Sequence, residues 1–197
     1  MPTLYRNAHS GNCHKVERIA ALRGMPLELR DISFHTDTSA AERAEVAALS
    51  KIARVPTLVL DDGTVLSESN AILCYLADGT PWWPDEPLAR AETLRWMFFE
   101  QNLHEPNVAG HRYQVHLAPQ PEVAPAVLER MLRSGLQALQ TMEDHLAQAE
   151  WFSAGRFGIA DIALHAYTVL APEGGFDLEP FPKLRAWLDR VAAELPS

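Results

Sequence analysis

A proline directly before an apolar strand, followed closely by a polar helix start, is the feature that most constrains the fold of this chain. Residues 54–57 (Arg-Val-Pro-Thr) precede the strand, and residues 67–70 (Ser-Glu-Ser-Asn) open an apolar helix. The Val55-Pro56 bond is a good site for a cis peptide, which exposes the backbone of the valine to a bound chain. Unpaired N–H groups at a helix start suit the α-amino-acid end of a small peptide. The two segments therefore predict a site that holds a small peptide.

The first part of the chain alternates short strands and helices. Apolar periodicity predicts strands at residues 3–6 and 27–32, and helices at residues 13–23, 39–49 and 68–77. Residues 58–66 predict a hairpin, because Asp62-Gly63 is a strong turn signal between two apolar segments. The resulting order is β-α-β-α-β-β-α.

A proline-rich segment at residues 80–87 predicts a linker between two domains, residues 1–79 and residues 88–197. The second domain has apolar residues at helical intervals throughout, which predicts an all-helical domain. Pro106 predicts a kink in its first long helix. One stripe in this domain comprises Leu128, Leu132, Leu136, Leu139, Met142 and Leu146.

Composition limits the functional classes. The net charge of −9 includes no basic stripe, so nucleic-acid binding is not expected. No apolar run approaches the length of a membrane span, and the start of the chain lacks signal-peptide features, so a cytoplasmic location is expected. Two cysteines are too few for a disulfide framework. The eight histidines form no helical metal-binding pattern, so no metal is expected.

The segment after the first strand carries the candidate chemistry. Residues 10–16 read Ser-Gly-Asn-Cys-His-Lys-Val and lie where a loop becomes a helix, a place where the helix N-terminus stabilises an anion. This segment, Val55-Pro56 and residues 67–72 resemble the corresponding motifs of the soluble, bacterial-type glutathione transferases. The resemblance extends over essentially the whole chain. The resemblance implies an α+β fold, in which a thioredoxin-like glutathione-binding domain precedes an all-helical domain.

In that family the serine hydroxyl donates a hydrogen bond to the glutathione sulfur, so the resemblance implies this role for Ser10, with Asn12 as a second donor. A free thiol has a pKa of about 8.5, and lowering it by about two units takes roughly 2.7 kcal/mol. One hydrogen bond to a charged group and a helix N-terminus supply that amount. Two alternatives to this role remain open. In the first, Ser10 serves only as the N-cap of the helix. In the second, Cys13 reacts instead and forms a mixed disulfide with glutathione.

The resemblance also implies the rest of the glutathione site. The backbone of Val55 pairs with the cysteinyl part, Glu68 and Ser69 hold the γ-glutamyl group, and Lys51 or Arg54 meets the glycine carboxylate. The family commonly has Asn-Pro-x-Gly before this last position, whereas residues 50–53 here are Ser-Lys-Ile-Ala. This difference predicts a different path for the loop.

In the helical domain, the resemblance places an electrophile pocket near residues 98–106. Its candidate residues are His9, His104, Arg112 and Tyr113, and Glu100 of the same segment as His104 is a further residue of interest. The helix that begins near Gly158 keeps the acidic residue of the family pattern, Asp161, which we interpret as structural. It lacks the usual threonine hydroxyl cap, at a cost of a few tenths of a kcal/mol.

The predicted function is a detoxifying glutathione transferase, with glutathione as co-substrate and an electrophilic small molecule as second substrate. The resemblance implies a homodimer. The alternatives are a glutathione-dependent disulfide oxidoreductase and a non-catalytic binding protein on the same scaffold, because a fold does not fix an activity.

Overall fold

The computed structural model describes residues 1–33, 39–117 and 123–196. In it the chain divides into two units. The first comprises Met1–Asp78 together with Pro196, and the second comprises Gly79–Leu195. No helix in these described ranges is both long and apolar enough to cross a membrane.

The first unit contains a four-stranded mixed sheet with three helices. Its elements are β1 (Thr3–Arg6), α1 (Gly11–Leu22), β2 (Glu28–Asp31), α2 (Ser39–Ser50), β3 (Thr57–Val59), β4 (Val65–Ser67) and α3 (Ser69–Ala77). The strand order is β2-β1-β3-β4, in which β1 runs parallel to β2 and antiparallel to β3, and β3 and β4 form the hairpin. The predicted order of elements and the thioredoxin-like fold are confirmed.

The sheet has an apolar core on each face, because successive side chains of a strand point to opposite sides. Leu4 of β1 is fully buried, as are Val16 and Ile19 of α1 and Ile72 and Leu73 of α3, two helices that pack against each other. Tyr5, the next residue along β1, instead forms a cluster with Ile32 and with Val46 of α2. This packing holds the N-terminal turns of α1 and α3 at one face of the sheet.

The second unit is helical, as predicted. Its elements are α4 (Pro87–Phe99), a π-helical turn (Glu100–His104), α5 (Glu105–Arg112), a second π-helical turn (Tyr113–Leu117), α6 (Pro125–Leu146), α7 (Ile159–Thr168), a 3-10 turn (Ala171–Gly174) and α8 (Pro182–Glu194). Every residue of α7 is buried, so this helix forms the centre of the unit.

The first π-helical turn lies where Pro106 predicts a kink. Proline has no N–H group, so the ordinary bond from residue 106 to the carbonyl of Asn102 cannot form. The N–H of Glu105 reaches five residues back to the carbonyl of Glu100, which is the π-helical spacing. The side-chain amide of Asn107 donates to the carbonyl of Leu103 at 2.7 Å. The helix therefore accommodates the proline through a local change of hydrogen-bond register.

The predicted stripe of α6 is only partly right. Leu139, Met142 and Leu146 are buried, but Leu136 keeps 38% of its surface exposed. The buried face instead passes through Gly135, where a Cβ atom would collide with the ring of Phe176. The close approach of an aromatic ring to a glycine has rotated the packed face by one residue.

Candidate functional site

The N-terminus of α1 is formed by the turn that follows β1. The N–H of Ser10 donates to the carbonyl of Asn7 at 3.0 Å, and the Ser10 carbonyl accepts from the N–H of His14 at 3.1 Å. These bonds place Ser10 at the N-cap position with extended backbone, yet its hydroxyl accepts no capping bond from a backbone N–H group of the helix. Ser10 therefore occupies the N-cap position without capping α1, and its side chain instead interacts with the thiol of Cys13.

Cys13 lies one turn into α1 and is fully buried. Burial raises the pKa of its thiol to about 11, although hydrogen bonds from the backbone of Asn7 and the side chain of Ser10 act in the opposite direction. The Asn7 N–H lies 3.4 Å from Sγ. A thiol with such a pKa stays protonated at neutral pH and is a poor nucleophile. This burial argues against exchange chemistry at Cys13.

The N-terminus of α3 begins with an unusual backbone conformation. Glu68 has φ 68° and ψ 111°, a region that non-glycine residues rarely adopt and that costs on the order of 1–3 kcal/mol. Its side chain is exposed and makes no bond to the helix. The next residue, Ser69, is buried. Such strain is typical of positions that hold a ligand.

A hydrogen-bonded group of polar side chains connects the two helix N-termini. The hydroxyl of Ser69 donates to Oδ1 of Asn12 at 3.0 Å. Nζ of Lys15 lies 3.5 Å from Oγ of Ser69 and 3.4 Å from Oδ1 of Asn70, and Lys15 is fully buried. The structure thus brings together a predicted sulfur-binding residue, Asn12, and a predicted γ-glutamyl-binding residue, Ser69.

Sequence reasoning missed Lys15. The signal was present, because Asn12, Lys15, Val16 and Ile19 share one face of α1 at helical spacing, and that face is the buried one. A lysine at a core position of an amphipathic pattern needs polar partners. In this chain α3 provides them.

The loop before β3 contains the predicted cis peptide bond between Val55 and Pro56. Val55 is partly buried against the Tyr5 cluster, whereas the side chains of Lys51 and Arg54 are exposed. Ala53 has φ 54°, the left-handed conformation that favours glycine, at the position where the family commonly has glycine. At this position the loop keeps a backbone conformation suited to glycine in spite of its different sequence.

The four candidates for the second substrate lie in different surroundings. His9 is exposed in the first unit, and its N–H donates to Oδ1 of Asn7 at 3.0 Å. His104 is fully buried in the π-helical turn, where Nε2 lies 3.0 Å from the hydroxyl of Thr168. Because that hydroxyl donates to the carbonyl of Leu164 at 2.7 Å, its oxygen accepts from His104. The ring hydrogen of His104 therefore lies on Nε2.

Arg112 is buried and forms an ion pair with Glu173, with Nε 2.6 Å from the carboxylate. This pair fastens α5 to the 3-10 turn. Tyr113 begins the second π-helical turn and has 39% of its surface exposed. A role of His9, His104, Arg112 and Tyr113 in binding an electrophile stays a prediction.

The N-terminus of α7 is closed by its own unit. Asp161, fully buried, accepts bonds from the N–H groups of Phe152, Ser153 and Gly158 and from the indole of Trp187. Burial raises the pKa of this carboxyl to about 6, and the four donors oppose that rise. These contacts agree with our interpretation of Asp161 as a structural residue.

The missing hydroxyl cap at Gly158 is replaced from another position. Oγ of Ser153 accepts from the N–H of Ala160 at 3.0 Å. A Cβ atom at Gly158 would lie 2.7 Å from Cβ of Ser153 and 2.7 Å from the carbonyl oxygen of Trp82. Glycine is therefore required here, and Ser153 supplies the cap that sequence reasoning took to be lost.

No group of three or more histidine, cysteine or acidic side chains is placed to hold a metal ion in the described part of the chain. The donors of the site are hydroxyl, amide and ammonium groups and the first N–H groups of α1 and α3. These groups suit an anionic ligand with a carboxylate or a thiolate.

A thioredoxin-like unit that carries this site, followed by a helical unit, defines a class of two-domain proteins with an anion-binding first domain. The family model described as "Glutathione S-transferase, N-terminal domain" matches residues 9–78. The model described as "Glutathione S-transferase, C-terminal domain" matches residues 125–190. The chain belongs to the glutathione S-transferase family.

Individual relatives agree with this assignment. Glutathione S-transferase D7 of Anopheles gambiae is 31% identical over 98% of this chain and 87% of its own length. Disulfide-bond oxidoreductase YfcG of Escherichia coli is 28% identical over 93% of this chain and 87% of its own. The crystal structure of a glutathione S-transferase from Xanthobacter autotrophicus Py2 superimposes with a TM-score of 0.91 at 43% identity, covering 98% of this chain and 93% of that one.

Proposed function

We propose that this enzyme binds glutathione on its first domain, residues 1–79, and that Ser10 activates the glutathione sulfur. The observation that carries the proposal is the bond between Ser69 and Asn12, which joins the N-terminal turns of α1 and α3. The N-cap side chains of both helices accept no bond from the backbone N–H groups of their own helix, so each start retains N–H donors for a ligand.

Each end of the tripeptide has a chemically matched partner in this proposal. Glu68 and Ser69 bind the ammonium and carboxylate of the γ-glutamyl group, and the backbone of Val55 pairs with the cysteinyl part. Lys51 and Arg54 are exposed cations of the loop before β3, and one or the other meets the glycine carboxylate. The sulfur then lies near the hydroxyl of Ser10 and the amide of Asn12.

The hydroxyl of Ser10 donates to the sulfur and favours the thiolate. A hydrogen bond to a charged group contributes about 1.5–3 kcal/mol, and a helix N-terminus adds about 0.3–1 kcal/mol. Their sum covers the roughly 2.7 kcal/mol that a two-unit fall in thiol pKa requires. The thiolate attacks the electrophilic carbon of a small molecule, so that a carbon–sulfur bond forms as the leaving group departs.

The finer features of the prediction are part of the same proposal. His9, His104, Arg112 and Tyr113 serve the electrophile, the chain forms a homodimer, and it acts in the cytoplasm. Support comes from the family assignment for the dimer and from composition for the location.

A second candidate function is reduction of disulfides by glutathione. The observation in its favour is the similarity to a relative named disulfide-bond oxidoreductase. In this version the activated glutathione thiolate attacks a substrate disulfide, which forms a mixed disulfide and releases a thiolate. Cys13 takes no part, because it is buried and its pKa is raised to about 11.

The test is a calorimetric titration with glutathione, while ultraviolet absorbance follows the bound thiolate. Binding with ionisation at neutral pH supports the proposed function, and a screen of carbon electrophiles and of model disulfides then separates the two reactions. Cys13→Ala is the control and should leave either reaction unchanged. Absence of binding at millimolar glutathione contradicts the proposal, and binding without turnover indicates a non-catalytic binding protein.

A further inference from the structure

We infer that Lys15 is a positioning residue for the sulfur of glutathione. It fixes the direction of the hydrogen bonds from Lys15 through Ser69 to Asn12, and thereby aims the amide donor of Asn12 at the sulfur. This inference rests on the proposed function, and it extends that function to a residue that makes its contacts behind the ligand.

Lys15 differs from the other lysines of the chain because its side chain is buried. The chain has three lysines, and Lys51 and Lys183 are exposed, whereas Lys15 is fully buried. Burial removes a strongly hydrated ammonium group from water, which is unfavourable unless polar groups replace the water. Ser69 and Asn70, both in the first turn of α3, provide oxygen atoms at 3.5 and 3.4 Å from Nζ.

The hydrogens in this group run in one direction. A lysine ammonium has donors and no acceptor. Ser69 has a single hydroxyl hydrogen, and it points to Oδ1 of Asn12 at 3.0 Å. The oxygen of Ser69 therefore accepts from Lys15, and Oδ1 of Asn12 is held as an acceptor. Because an amide has its oxygen on one side and its NH2 group on the other, the donor side of Asn12 is directed away from Ser69.

Loss of the ammonium removes the constraint. Without a donor at Nζ, the hydroxyl of Ser69 is able to turn and accept a hydrogen from the NH2 group of Asn12. The amide then presents its oxygen, an acceptor, to the sulfur. An oxygen lone pair that faces a thiolate disfavours the ionised form, so the pKa of the bound thiol rises. The Ser69 hydroxyl also leaves its preferred direction, which weakens binding of the γ-glutamyl group.

The experiment compares wild type with Lys15→Met, which keeps the length and apolar volume of the side chain. Lys183→Met is the matched control, because it removes the same charge from an exposed position in the other unit. We expect Lys15→Met to raise the pKa of the thiol of bound glutathione by about one unit. It should also weaken the binding of S-methylglutathione, which has no ionisable thiol, about tenfold. Lys183→Met should change neither quantity.

A double-mutant cycle separates positioning from plain electrostatic attraction. If Lys15 acts through Asn12, Lys15→Met raises the thiol pKa much less in an Asn12→Ala background than in wild type. An equal rise in both backgrounds would mean that the ammonium acts only by its charge, and this overturns the inference. A folded Lys15→Met with unchanged thiol pKa overturns it as well.

Two further outcomes have clear meanings. If wild type does not bind glutathione, the proposed function and this inference fall together, whereas binding by wild type without an effect of Lys15 overturns the inference alone. If Lys15→Met does not fold, NMR of the wild-type protein replaces it. The side-chain NH2 resonances of Asn12 should shift as bound glutathione ionises, and resonances that stay constant overturn the inference.

Discussion

The starts of α7 and of the pair α1 and α3 differ in how they use the same groups. The first N–H groups of any helix lack partners within the helix. At α7, Asp161 and Ser153 accept hydrogen bonds from the backbone in and around the first turn. At α1 and α3, the side chains of the N-cap residues Ser10 and Glu68 cap no backbone N–H group of the helix.

The capped start of α7 serves the stability of its unit, whereas the uncapped starts of α1 and α3 are suited to bind a ligand. A helix start that is closed by its own side chains contributes to the stability of its unit, as at the centre of the helical unit here. A helix start without such a cap keeps its donors and its positive dipole end for an anion. Substitutions at α7 should therefore lower stability, and substitutions at α1 should lower activity.

The largest expected effect is that of Asp161→Asn. The amide has one acceptor where the carboxylate has two, so at least one of the four donors loses its partner in a buried place. We expect a loss of about 3 kcal/mol in the free energy of unfolding at neutral pH, measured by urea titration. A loss below about 1 kcal/mol would show that α7 does not depend on this closure.

Wild type and Asp161→Asn should also differ in how the free energy of unfolding depends on pH. The folded pKa of Asp161 is raised to about 6 from an ordinary value of 3.8. A raised acid pKa means that the folded state holds the proton more tightly than the unfolded state, so the contribution to stability is full below pH 4 and falls as the pH rises to 6. The free energy of unfolding of wild type should therefore fall between pH 4 and pH 6, and Asp161→Asn should lack this part of the pH dependence. A difference between the two proteins that stays constant with pH contradicts the raised pKa.

Ser10→Ala tests the opposite side of the comparison. Loss of one hydrogen bond to the thiolate should lower kcat/KM about 10- to 100-fold, with little change in glutathione affinity. Stability should stay within about 0.5 kcal/mol of wild type, because the hydroxyl caps no N–H group of α1. A clear loss of stability without loss of rate would identify Ser10 as a structural cap.

Ser153→Ala is the matched hydroxyl deletion at α7. It removes the acceptor of the Ala160 N–H, and loss of such a cap costs about 1 kcal/mol. Turnover should equal that of wild type when both proteins are folded.

Gly158→Thr, which restores the family hydroxyl, should also destabilise the protein, because the Cβ atom of the threonine has no room. A stabilised Gly158→Thr would contradict the geometry.

The smallest effects are expected from two alanines in left-handed conformations, Ala53 with φ 54° and Ala154 with φ 49°. Glycine relieves the strain of each conformation but gains more freedom on unfolding, so the net stabilisation should be below about 1 kcal/mol. Thermal melts measure it. A change in glutathione affinity is expected only for Ala53→Gly, since Ala53 lies in the loop before β3. A change in glutathione affinity for Ala154→Gly would contradict this expectation, because Ala154 lies outside the loop before β3.

Much of the candidate site was predictable, because its parts are local. The cis bond at Val55-Pro56 and the two helix starts each lie within a short segment whose residue types determine the backbone. The contact between Ser69 and Asn12 joins residues 57 positions apart, and it depends on how α1 and α3 pack. The cap by Ser153 and the contacts of Lys15 with α3 were missed for the same reason, since each side chain meets residues outside its own sequence pattern.

The sequence by itself determined the order of strands and helices in the first unit and the approximate positions of their starts, because periodicity and turn residues act over a few neighbours. The tertiary structure decided which starts are capped. Ser153 caps α7 only because Gly158 allows close approach, and Cys13 is unreactive only because packing buries it. Packing brings distant residues together and removes them from water, and these two effects set partners and pKa values that no local pattern specifies.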